Sequence, residues 1–518
     1  MPPAEPPVSE VERALHRRRP WRLYPLVILV ALLLLIGLIT AVIGISLLLR
    51  LARDSARTYD DPVAHFTHGS IGAEPESGLP YWVWQALPRI YPDAFNGRLD
   101  YRAFGFLYEV KDGRQSDLPL GISRRNYRGV ELVWFNCAVC HVGTWRQAEG
   151  ATQHVVPGMP SNNLDIYRFI RFVLGAAGDE RLAPDNLMAA MKAAGAKFSP
   201  IDEMVWRFYV IPRVREGLVA RASRLQQFIL EQPPWGPGRV DTFNPYKLGE
   251  IKVKLQALAP YELYGASDFP SIFLQKPREG MQLHWDGNNT SLAERNLSAA
   301  IGAGVTPATV DHAAVDRVAK WLGDLRPPPS PHVVDAAAAQ RGRALYMTNC
   351  ASCHGHHTNG QYVFEGAALG KVDPNSRLGA DPGRLDSYTA EFRTHQLSEL
   401  FAGTRYRFKY FTKTDGYANV PLDGLWLRGP YMHNGSVPTL RALLSPPAER
   451  PAAYVRGSDV IDGVNGGFIS PPCEPGRPLA SGFCYDTRQP GNGNGGHTYG
   501  TSLAPAEKAD LLAYLLTF

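Results

Sequence analysis

At 518 residues the chain is too long for one ordinary core, and its length predicts two or three domains. Its apolar content is that of a globular protein, and a formal charge of +5 is too mild to imply a nucleic-acid partner. Of the six cysteines, four stand in two C-x-x-C-H runs, Cys137–His141 and Cys350–His354. The other two, Cys473 and Cys484, lie close together in Pro/Gly-rich sequence, where a structural disulfide of an oxidising compartment is expected.

In chain order, residues 1–22 are Pro-rich and then basic (Arg13, Arg17, Arg18, Arg19, Arg22), which predicts a disordered cytoplasmic tail. Residues 23–49 carry no charge and suit a bilayer core, which needs roughly 20 apolar residues. A cleaved signal peptide has a shorter apolar region, so a retained signal-anchor is expected. The N-terminal arginines favour that end in the cytoplasm, although Arg50, Arg53 and Arg57 blur the asymmetry. Residues 50–78 read as a stalk, and the first folded unit as 79–326, partly strand-like at 129–135 and closing on an amphipathic helix, Val315–Leu322. Pro327 opens a stiff linker over 327–334. The second unit, 335–518, begins with an Ala-rich helix that feeds into Cys350 and ends with a helix over Ser502–Phe518. The fold class is therefore mainly α: two cytochrome c-like units with long loop insertions, plus one N-terminal transmembrane helix. No Rossmann fingerprint or phosphate-binding loop supports nucleotide chemistry.

C-x-x-C-H is the attachment signature of c-type haem. Cysteines three apart on one helical turn reach both vinyl groups of one porphyrin, and the next residue, His141 or His354, supplies the proximal nitrogen. A zinc ribbon would need its two pairs close in sequence, and a redox dithiol needs no His in the following position. Two covalent haems, held by Cys137, Cys140, His141 and by Cys350, Cys353, His354, are expected. Covalent attachment outside the bacterial cytoplasmic membrane would place these units in the periplasm, below a single-pass inner-membrane anchor.

The sixth position on each iron decides between an electron carrier and a site that binds an oxidant. For the second haem, RGPYMHNGSVPTL (428–440) offers Met432 or His433, at most one of which reaches the iron; His497 is a weaker candidate, and His356 and His357 sit too close to the motif. For the first, WDGNNTSLAER (285–295) offers Trp285 as a wall of the distal pocket. Glu294 reads either as the acid–base group that cleaves an O–O bond or as a solvated surface acid. Met159 is a further candidate sixth ligand, His154 a poorer one, and Phe273 a pocket lining.

The two C-x-x-C-H motifs, WDGNNTSLAER and GPYMHNGSVPTL together resemble the bacterial di-haem cytochrome c peroxidase superfamily, which includes the methylamine dehydrogenase maturase and the rubber oxygenases. HNGSVPTL and the long insertions are most similar to the rubber-oxygenase-like branch, over roughly residues 80–518. The resemblance implies peroxide at the N-terminal haem and electrons entering through the C-terminal haem. Their source would be a small donor: a cytochrome c, a cupredoxin or a component of the quinol chain. It also implies calcium between the domains, for which no ligands are evident. The chain departs from the family at Asn288, where WDGR has Arg, in the register of the acid at Ala293–Glu294, and in lacking a Met downstream of Met432. The rubber-oxygenase His of HNGS maps onto His433, so His354/His433 ligation is expected, with Met432 the alternative. The leading expectation is a membrane-anchored periplasmic di-haem oxidoreductase reducing hydrogen peroxide. The alternatives are oxygenase chemistry with dioxygen, and a plain electron-transfer cytochrome, which Met159 on the first haem would favour.

Overall fold

A computed structural model describes residues 1–3 and 24–518; the basic tail expected over 1–22 lies outside the described residues beyond its first three. Helix α1, Tyr24–Leu51, covers the expected span and continues past it, and none of its residues is buried. Its 28 residues give a length of about 42 Å, more than the hydrocarbon thickness of a bilayer. It belongs to a unit made of the residues up to Ser55 together with Asn126–Val130, a tight turn. Arg128 and Gly129, both at positive φ, form that turn, and Arg128 donates its N–H to the Arg53 carbonyl at 2.7 Å.

The second unit is Ala56–Arg125 with Glu131–Phe518. It opens on helix α2, Pro62–His68, capped by Asp61. The sequence assigned this stretch to a stalk, but Phe66 is buried and packs on Trp321, their ring centres 5.0 Å apart. The strands β1 (Ile122–Tyr127) and β2 (Val130–Phe135) then deliver the chain to a short helix α3, Ala138–His141, which carries the first motif. Hairpin β3 (Val142–Trp145) and β4 (His154–Pro157) follows in antiparallel register. An insertion built on α4 (Ile166–Gly175) and α5 (Ile211–Glu231) forms an aromatic core around Trp84, Tyr101, Phe104 and Phe169. Helices α6 (Leu292–Gly302) and α7 (His312–Asp324) close the first half. Helix α7 shares a small core with Phe66, Ala138 and Val142, so α2, α3 and α7 make a minimal haem-protein frame.

The second half repeats the plan. Helix α8, Ala336–Asn349, runs into α9, Ala351–His354, and the terminal helix α10, Pro505–Leu515, crosses α8. A Cβ at Gly342 would lie 1.9 Å from the Asp510 carbonyl, so only glycine lets the two backbones approach this closely. Tyr346, Leu511 and Phe518 fill the crossing. Strands β5 (Ala453–Arg456) and β6 (Phe483–Asp486) pair antiparallel, and Cys473–Cys484 forms the expected disulfide beside them.

The Pro-rich segment does not divide this unit. Pro328 accepts a hydrogen bond from the Trp426 indole, and Ser330 donates to the Leu516 carbonyl at 2.5 Å. Further ties join the halves. Asp459 takes hydrogen bonds from Thr144, Arg146 and Gln153, and the buried Asp268 pairs with Arg456 at 2.9 Å.

Candidate functional site

The second motif is built by α8 and α9. Cys350 ends α8, the His354 amide closes onto the Cys350 carbonyl at 3.0 Å, and Gly355 at φ 67° turns the chain away. The His354 Nδ1 donates to the Val420 carbonyl at 2.8 Å, which fixes the tautomer and leaves Nε2 free for a metal. Cys350, Cys353 and His354 line a cavity of about 400 Å³. Across it stands His497, its ring centre 6.2 Å from that of His354. Two imidazoles bound on opposite sides of one metal at about 2 Å per bond would hold their ring centres about 6 Å apart.

His497 is presented by the glycine loop 491–496. A Cβ at Gly496 would come within 2.5 Å of the Leu378 carbonyl, so the approach requires glycine. Buried Arg450 braces the loop by donating to the carbonyls of Asn494, Gly496 and His497. Burial, then the neighbouring His354 and Arg450, lowers His497 to about 4, so it stands neutral with a lone pair available.

His433, expected as the ligand, lines the same cavity, but its ring is already hydrogen-bonded. Its ring stacks on Tyr417 at 4.1 Å, and its Nε2 lies 3.1 Å from the Tyr417 hydroxyl. That hydroxyl donates its own proton to the Asp381 carbonyl, so the His433 Nε2–H must be the donor of the pair and carries no free lone pair. Met432, at φ 72°, lines the same cavity.

Around the first motif, burial raises Cys137 to about 11 and Cys140 to about 12. His141 is lowered to about 3, first by burial and then by Arg295. No second imidazole faces His141 at the spacing of the His354–His497 pair among the described residues. Met159 and Phe273 are fully buried in a cluster with Trp426, and His154 stacks on Trp145 at the edge of the β3–β4 hairpin.

The cavity runs on to Pro270, His284, Trp285 and Arg295. The Trp285 indole donates to the Asp268 carbonyl at 2.8 Å. Glu294 does not line the cavity. Its carboxylate accepts the backbone N–H groups of Lys409 (2.7 Å) and Tyr410 (3.0 Å) and the Asn289 amide (3.0 Å), so it clamps a neighbouring loop. Its neighbour Arg295 is the residue that faces inward. Enclosure lowers it to about 10, and no carboxylate lies within ion-pair distance of it among the described residues. Two more inward arginines, Arg278 and Arg428, share one buried carboxylate, Asp423. The sequence reading did not single out His284 and Arg295, and it gave His497 only as a weaker candidate, which the structure places opposite His354. The only sequence signals were the placement of His284 just before the Trp-Asp-Gly turn and the glycine run before His497.

These features fit haem: a C-x-x-C pair opening on a cavity, opposed imidazoles, and enclosed guanidiniums in excess of carboxylates, suited to propionates. For the expected calcium, no group of three or more His, Cys, Asp or Glu side chains is found among the described residues.

The comparisons agree with this chemistry. A cytochrome c family model matches residues 339–423, which include the second motif and Val420, and a family described as RoxA-like, cytochrome c-like matches residues 416–455, which include Met432 and His433. Two uncharacterized proteins of Sinorhizobium fredii are similar. The first, y4iM, is 32% identical over 250 residues, covering 45% of this chain and 56% of that protein. The second, y4iJ, is 31% identical over 254 residues, covering 37% and 41%. The chain thus spans about half the length of these curated relatives. A mainly α fold with covalently bound haem c, related to di-haem c-type cytochromes, is what the motifs, the cavity and the matched families together support.

Proposed function

We propose that the chain is a membrane-anchored, periplasmic di-haem oxidoreductase. In it the C-terminal haem relays electrons from a small donor protein to the N-terminal haem, which reduces hydrogen peroxide. One observation carries this reading: the two motifs differ on the side away from the proximal imidazole. His354 has His497 opposite at 6.2 Å, the arrangement of a six-coordinate electron carrier, whereas His141 has no such partner among the described residues. Haem iron supplies the electron transfer and oxidant binding. The chain fixes the His354 tautomer through Val420, braces His497 through Arg450, and keeps both proximal imidazoles neutral by burial.

Oxygenase chemistry with dioxygen is the second reading. The RoxA-like match favours it, because it falls on the stretch whose resemblance to the rubber oxygenases the sequence raised. Paramagnetic resonance of the haem-loaded full chain, oxidised and half-reduced, tests the proposal. The expected result is one low-spin signal indifferent to peroxide and one site that responds to it. Two low-spin haems inert to peroxide in every redox state would leave a plain electron carrier. Oxygen uptake with an organic substrate and no peroxide turnover would leave the oxygenase.

A further inference from the structure

We infer that His284, oriented by Asn288, is the proton-transfer group of the first haem's cavity, acting on a bound hydroperoxide. The inference rests on the functional reading above and adds the residue that does the chemistry.

The same loop occurs in both halves. Leu283 bridges Asn289 as Tyr431 bridges Val437. Gly287 (φ 62°) matches Gly435 (φ 65°), and Ser291 caps α6 as Thr439 caps the helix beginning at Leu440. In this register His284 (φ 65°) falls at the position of Met432 (φ 72°). A non-glycine residue held at positive φ is conformationally costly, and such positions gather at functional sites. Both residues line the cavity, Met432 in company with His354 and His497. His284 shares its stretch of the cavity with Pro270 and Arg295, the two groups that also neighbour His141, so the loop of the first half brings an imidazole toward the first motif as the loop of the second brings a thioether toward the second.

That imidazole is oriented. The Asn288 Oδ1 lies 2.6 Å from the His284 Nδ1, and an amide oxygen only accepts, so Nδ1 carries the proton and Nε2 the lone pair. Asn288 is itself fixed, its carbonyl accepting from Thr412 at 2.8 Å. Asn288 stands where the resembling family has Arg, so the departure noted in the sequence is the partner of the histidine. The charged groups facing the ring are Arg295, Arg384 and Asp286, the last paired with Arg384 at 2.9 Å. Burial, with Arg295 next, lowers His284 to about 4, which leaves it a neutral base. The Trp285 N–H of this wall is committed to Asp268, and the Glu294 carboxylate, off the cavity, to the 409–410 backbone.

The step balances. With haem bound, Nε2 would take the proton from the inner oxygen of hydrogen peroxide and deliver it to the outer oxygen. The O–O bond breaks with its electron pair on that outer oxygen, which leaves as water. Two electrons from the donor protein, passed through the haems, and two protons from solvent convert the retained oxygen to a second water. Arg295, enclosed and without a carboxylate partner, supplies positive charge where negative charge develops.

The test uses the haem-loaded full chain with His284→Gln and His284→Phe, and follows association of hydrogen peroxide, cyanide and imidazole by stopped-flow absorbance. Hydrogen cyanide must lose a proton to bind iron, and imidazole need not. Both variants are expected to slow peroxide and cyanide by about a hundredfold or more, with imidazole association and the resting spin state unchanged. Unchanged cyanide and peroxide rates would overturn the inference. So would an equal loss for imidazole, which marks a structural role, or a low-spin to high-spin conversion, which marks an iron ligand. A wild-type chain that binds none of the three at either haem overturns the functional reading itself, and this inference with it.

Discussion

Glu294 separates a catalytic from a structural reading of one side chain. It is 8% exposed, and its two oxygens receive three N–H donors. A hydrogen bond to a charged group contributes about 1.5–3 kcal/mol. Tyr410 is 55% exposed, so water replaces part of what is lost there. Discounted for that, Glu294→Ala should cost about 3 kcal/mol locally. Glu294→Gln keeps an acceptor oxygen and should cost about 1–2 kcal/mol. Each 1.4 kcal/mol is tenfold, so amide exchange at Lys409 and Tyr410 should accelerate about a hundredfold in the Ala variant. Mass-spectrometric exchange on the 405–413 peptide measures it. Peroxide turnover by Glu294→Gln should stay close to that of the wild type. A hundredfold fall in turnover with amide protection intact would refute the clamp and restore Glu294 as the acid.

Three further outcomes follow from the site. His497→Ala should convert the second haem from low-spin to high-spin, whereas His433→Ala should leave it low-spin; paramagnetic resonance decides, and the opposite pattern would return the ligand to the HNGS motif. Arg295→Gln removes an enclosed positive charge that favours the reduced iron, so the first haem's potential should fall by on the order of 50 mV in a spectroelectrochemical titration, with the second unchanged. Burial works to raise the Asp459 carboxyl, but hydrogen bonds from Arg146, Gln153 and Thr144 outweigh it and hold it below the usual range. A depressed folded-state value means that its contribution is full above the unfolded value of about 4 and is lost as the pH falls through the folded one. With Arg146 partly exposed, Asp459→Asn should cost about 1–2 kcal/mol at pH 7, and the difference should shrink below about pH 4 in urea titrations.

What the sequence made legible was local. C-x-x-C-H encodes its chemistry in consecutive residues, and the α8 helix announces itself by its Ala-rich composition and α10 by its apolar side. The α2 helix was hidden because seven residues with one buried aromatic give too short a period to register, and only packing on Trp321 defines it. The place of His497 was hidden for a related reason. Its loop has no periodicity, and its position opposite His354 arises from Arg450 and Leu378, which lie far from it in sequence. For His433, a histidine in a motif carries no record of whether its Nε2 is already bonded; Tyr417 supplies that.

In the proposed di-haem reading, the duplicated loop explains how one plan would yield two unlike irons. Its backbone is set by a bridge, a glycine at positive φ and a helix cap, none of which specifies the side chain aimed at the cavity. With that geometry fixed, reactivity is left to single positions. Met432 lines the second site, which His497 faces from a separate glycine loop. The imidazole at 284, turned by its own Asn288, holds a lone pair toward the cavity. The halves are joined by ties such as Arg146–Asp459 and Arg456–Asp268, so the two sites are held in one packed unit rather than on either side of a hinge. A fixed separation suits electrons passing between the haems, and it places the burden of catalysis on whichever site keeps an open position.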